Sequence, residues 1–142
     1  MSHNREDDFL AGLALLTPFF EEQGYELQVY PPYAAEEGTY YFARFFWGNH
    51  SVTLVHADGL ERVTYTVGGM SIEHEAYLDA LAVRMGSSFP ADSGSDDPLA
   101  GYRGLLGDLE TRITPFFEFP EREFMEFAAT HGRRGLPWLP TA

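Results

Sequence analysis

The chain has 142 residues, with 22 Asp and Glu against 9 Lys and Arg, a formal charge of -13 at neutral pH, and no cysteine. Disulfides, thiolate chemistry and sulfur-ligated zinc are excluded, and so few cations disfavour nucleic acid and anionic membrane as partners. A hydrophobic content of 44% with 15% aromatics argues for a packed core, and the length fits a single α+β domain, 1–142.

No apolar run approaches the roughly 18 residues of a membrane span. The first eight residues are acidic where a signal peptide would be basic. The expectation is a soluble protein retained in the cytoplasm.

Phe9, Leu10, Leu13, Leu16 and Phe20 recur at spacings of three and four, which predicts a helix from about Glu6 to Glu22. Pro18 removes a donor near its end, so either the helix kinks there or a second short turn begins with Thr17 as its cap. Gly24 ends the element. Tyr25 to Val29 alternates apolar and polar residues, as a half-buried strand does. The segment 31–38 opens with two prolines, which donate no ladder bond, and reads as a crossing at a sheet edge.

The central stretch, Thr39 to Val67, carries three β-branched and aromatic runs, Thr39–Trp47, Ser51–His56 and Leu60–Val67. Breaks at Gly48-Asn49 and Asp58-Gly59 suit hairpin turns. The prediction is a four-stranded antiparallel meander, preceded by one helix and followed by three. Along Thr39–Trp47, Tyr40, Phe42, Arg44 and Phe46 share one face while Tyr41, Ala43, Phe45 and Trp47 line the other. Two aromatic faces need two covers, from the chain's own helices, a partner or a second copy. The third run is wetter on one side, with Arg62, Thr64 and Thr66, and reads as an edge strand.

Gly68-Gly69 closes the meander, and Ser71 is placed to cap a helix carrying Tyr77, Leu78, Leu81 and Met85 inward. A polar loop spans 86–97. Asp97-Pro98 then reads as a helix start, followed by Leu99, Tyr102, Leu106, Leu109 and Ile113 on one stripe. Gly101, Gly104 and Gly107 weaken that helix or let another backbone approach. A last helix over about 120–130 turns Phe124, Phe127 and Ala128 inward, and 132–142 reads as an extended arm containing Trp138. Leu16-Thr-Pro-Phe-Phe-Glu21 is echoed by Ile113-Thr-Pro-Phe-Phe-Glu118; the flanking patterns differ, so the echo points to repeated local geometry rather than duplication.

Chemistry-bearing patterns are sparse. His50 and His56 are too far apart along one strand to share a metal and read as solvent-facing. His74-Glu75 begins like a zinc helix, but Leu78 stands where the second histidine belongs, and His74 is expected beside Tyr65 on the sheet. Ser71, His74 and Glu75 crowd one turn without a nucleophile elbow. No cofactor or metal site and no catalytic residue is assigned, and the carboxylate pairs Glu21-Glu22, Glu36-Glu37 and Asp96-Asp97 keep a small hydrolase or cation-binding protein as the alternative.

The element order resembles small α+β proteins that include bacterial secretion chaperones, while Tyr65-Thr-Val-Gly-Gly69, His74-Glu-Ala-Tyr77, Asp97-Pro-Leu99 and Leu106-Gly-Asp-Leu109 resemble segments of small uncharacterised bacterial proteins of no assigned activity. The element order is also similar to acidic immunity proteins that neutralise a toxin. The chaperone resemblance implies a non-enzymatic and often dimeric binder of a protein segment. The immunity resemblance implies an acidic face laid over a basic partner. The expected binding surface is Tyr40, Phe42, Arg44 and Phe46, rimmed by Glu36 and Glu37, with a protein partner, basic in character, or a homodimer.

Overall fold

The structure, a computed structural model, describes residues 5–36, 38–81, 99–117 and 121–134. Helix α1, Arg5–Glu22, precedes strands β1, Glu26–Val29; β2, Tyr33–Ala35; β3, Gly38–Trp47; β4, His50–His56; β5, Leu60–Val67; and β6, Met70–Glu73. Helices α2, His74–Ala80; α3, Ala100–Thr111; the single turn α4, Thr114–Phe117; and α5, Glu121–His131, follow, and β7, Arg133–Arg134, comes last.

The α+β class and the helix order match the sequence pattern, but the sheet does not. Six antiparallel strands run in the order β1-β3-β4-β5-β6-β7, with the three-residue β2 also paired to β3, where four were expected. Three local events extend the meander. Beyond the two prolines the chain regains β geometry, so that Tyr33 pairs with Tyr40 and β1 and β2 form one interrupted edge along β3. Gly68, at φ 59, makes a hairpin turn instead of an exit, and Met70–Glu73 folds back onto β5. Arg133–Arg134, expected in an extended arm, pairs with β6 as β7.

Two further expectations change with it. Strand β5 lies between β4 and β6 rather than at an edge, and its threonines are buried because β6 supplies a polar partner: Thr66 Oγ1 lies 2.9 Å from Ser71 Oγ. Ser71 is therefore a strand residue. Glu73 occupies the cap position of α2, without a side-chain capping bond.

Helix α1 continues through Pro18 as one helix, without the second start at Thr17. The Thr17 hydroxyl donates to the Leu13 carbonyl at 2.7 Å. The C-terminus closes as a Schellman motif: Tyr25 N–H donates to Phe20 O, Gly24 N–H to Glu21 O, and Gly24 takes φ 85. Phe9, Leu13, Leu16 and Phe20 are buried against the sheet face carrying Ala43, Phe45, Val52, Leu54, Val63 and Tyr65. Phe20 stacks on Phe45 with centroids 4.0 Å apart.

Tyr102, Leu109 and Ile113 of the second stripe are buried as expected, joined by Leu105. Leu99 takes the cap position of α3; Asp97 and Pro98 lie outside the described residues, as do the loop 86–97, Met85 and Trp138. Gly107 faces open space, whereas Gly12 of α1 has the Tyr102 ring 2.5 Å from where a Cβ would stand. No helix among the described residues is long and apolar enough to cross a membrane.

Candidate functional site

Polar groups inside the core form two relays. Tyr65 is fully buried, and burial pushes its phenol well above the ordinary range, so it stays protonated. Its hydroxyl lies 2.7 Å from His74 Nδ1, and His74 Nε2 lies 2.8 Å from Asp108 Oδ2. An ionised carboxylate can only accept, so the arrangement that satisfies every group has Tyr65 O–H donating to Nδ1 and Nε2–H donating to Asp108. His74 is then neutral, in keeping with burial, which lowers its pKa more than the neighbouring Asp108 raises it. Arg112 Nη1, 3.5 Å from Asp108 Oδ1, balances the buried carboxylate from the next turn of α3.

The second relay joins β4 to α3. Tyr102 is also raised by burial, and its hydroxyl lies 2.6 Å from His56 Nδ1. Phe9 packs against the His56 ring at 5.5 Å. Both relays sit beneath helices with their members at most 2% exposed, so substrate has no approach to them. They pin α2 and α3 to the sheet. His74 thus lies beside Tyr65 as the sequence predicts, but His50 and His56, read as solvent-facing, point into the core because β4 is a central strand. No group of three metal-ligating side chains gathers among the described residues.

Sequence reasoning missed the role of Asp108 and Tyr102. The available signal was an acid placed within the apolar pattern of α3, between Leu105 and Leu109, where a solvated carboxylate does not belong.

Tyr40, Phe42, Arg44 and Phe46 share one face of β3, but they are not one exposed patch. Phe42 is 1% exposed, and Tyr40, Arg44 and Phe46 are half-buried. Thr53, Thr64 and Ser71 on the same face are buried too, so the expected open aromatic face is closed over its centre. Glu36 is exposed; Glu37 lies outside the described residues. Three exposed large apolar side chains lie on the opposite face at the β1 edge, Leu27 at 38%, Val29 at 48% and Trp47 at 44%, while Tyr33 at 41% stands beside Tyr40 on this one.

Arg44 and Phe46 do meet at the end of the sheet. There a pocket of about 160 Å³ is lined by Arg44, Phe46, Gly48, Asn49, His50, Ser51, Thr66 and Gly68. The β3–β4 and β5–β6 turns that frame it are tied by Gly68 N–H donating to Asn49 O at 3.0 Å. Comparison of the chain with protein-family models, curated proteins and solved structures finds no match.

Proposed function

We propose that the protein is a cytoplasmic, non-enzymatic binding module that receives a basic, extended protein segment along β1. The supporting observation is the edge itself. Among the described residues strand β1 has a neighbour on one side only, every residue of it is exposed, and its Leu27 and Val29 present apolar side chains on the same face as Trp47. Unpaired strand edges accept an added strand through backbone hydrogen bonds, with alternate side chains giving selectivity. Pro31 and Pro32 interrupt the edge and limit the length of strand that can pair.

Charge selects the partner. At -13 overall, with Glu21, Glu22, Glu26 and Glu36 exposed near this edge in sequence, the surface repels a second copy of the chain and attracts a cationic segment. Strand addition to an extended segment favours the chaperone-like form over an immunity-type inhibitor laid over a folded toxin.

The test is capture of partners from the native cell, followed by hydrogen exchange on the purified complex. Slowed exchange at the amides of Glu26–Val29 is expected, together with loss of capture in Val29→Lys. Unchanged affinity in that variant, with slowed exchange elsewhere, would remove the edge from consideration.

A further inference from the structure

We propose that the pocket between the β3–β4 and β5–β6 turns binds a carboxylate group, held by Arg44. The site lies on the sheet face opposite Leu27 and Val29, and Gln28 of β1 helps to place its Arg44.

The guanidinium is already placed. Its Cζ lies 4.9 Å from the centroid of the Phe46 ring, and Nη2 donates to Gln28 Oε1 at 2.8 Å. Ring stacking and one side-chain bond fix the plane of the fork, which is what bidentate recognition of a planar anion requires. Arg44 Nε is buried and has no hydrogen-bond partner among the described residues. In a chain with 22 acids, no described carboxylate pairs with this cation. A guanidinium that has no carboxylate partner among the described residues and reaches the pocket leaves its positive charge for an anionic ligand to pair with.

The remaining lining suits the same ligand. Asn49 brings an amide, and Ser51 and Thr66 bring hydroxyls, beside Arg44. A water needs about 10–15 Å³, so about 160 Å³ admits a small organic acid or the end of a polypeptide chain. A single guanidinium within a strongly negative molecule favours a monoanion over a phosphate dianion. The planar carboxylate also matches the fork.

The experiment follows the Ser51 and Thr66 amides and the Arg44 Nε–H by nuclear magnetic resonance. The full chain is titrated with sodium acetate, with sodium chloride at equal ionic strength, and with acetyl-trialanine bearing a free or an amidated C-terminus. Saturable shifts with acetate and the free-terminus peptide, absent with chloride and the amide, are expected. Tighter binding of the peptide than of acetate assigns a chain terminus as the source; equal or weaker binding assigns a small acid. Arg44→Gln should weaken binding about tenfold or more, and Arg44→Lys less, since it keeps charge but loses the fork. If Arg44→Gln does not fold, Ser51→Ala, which keeps Arg44, should weaken binding severalfold. No saturable acetate shift, equal shifts with chloride or the amide, or wild-type binding in the folded variants would overturn the proposal.

Discussion

Asp108 is the residue on which most of the interior polar chemistry converges, because it accepts from His74 and faces Arg112. Replacing it by Ala strands a buried N–H and should destabilise the fold by about 1–3 kcal/mol. Asp108→Asn keeps an acceptor and should cost less. Urea unfolding followed by circular dichroism separates the two. His74 adds a pH dependence whose sign follows from its depressed pKa. The unfolded chain binds the proton more readily, so the stabilisation is full above about pH 6.5 and is lost as pH falls through that value toward the folded-state pKa. The urea midpoint should therefore drop between about pH 7 and pH 5, and it should drop less in His74→Gln.

Close approach between helices α1 and α3 rests on one missing side chain. Gly12 admits the Tyr102 ring, which in turn reaches His56. Gly12→Ala forces that ring to move and should cost about 1–3 kcal/mol, measured as a lowered thermal midpoint, with Tyr102 displaced from His56. Of the three glycines in α3, Gly107 faces open space, so close approach does not explain it. The echoed Thr-Pro-Phe-Phe segments find a joint role that their spacing did not suggest. One copy sits inside α1 and the other forms α4, and they meet through Phe19 and Phe117 at 5.2 Å and Phe20 and Phe117 at 5.9 Å. Similar local sequences serve two different backbones and one aromatic cluster, which Tyr25 and Phe116 extend toward His50.

The charge of -13 leaves the chain strongly self-repelling while the β1 edge stays apolar. Association with a basic segment at that edge should weaken as salt rises from about 50 mM to about 0.5 M, chiefly through slower association. Measured on- and off-rates test this; an off-rate that carries the whole salt effect would argue for a buried ion pair instead. Local pattern alone was enough for α1, the β3–β5 hairpins, Tyr102, Leu109 and Ile113 of the α3 stripe, and Phe124 and Ala128 of α5. Each rests on contacts between residues close in the chain, where periodicity and turn chemistry act directly. Strands β2, β6 and β7 are short and gain stability only from a neighbour distant in the chain or across a hairpin, so their residues carry little signal of their own. The same holds for burial. Thr64, Thr66, His50 and His56 have polar side chains that composition assigns to solvent, and it is their place on central strands that encloses them. Phe42, an apolar residue in an alternating strand, looks the same in sequence whether its face is open or closed. Side-chain alternation dictates which residues share a face, but which face meets water depends on how distant segments pack.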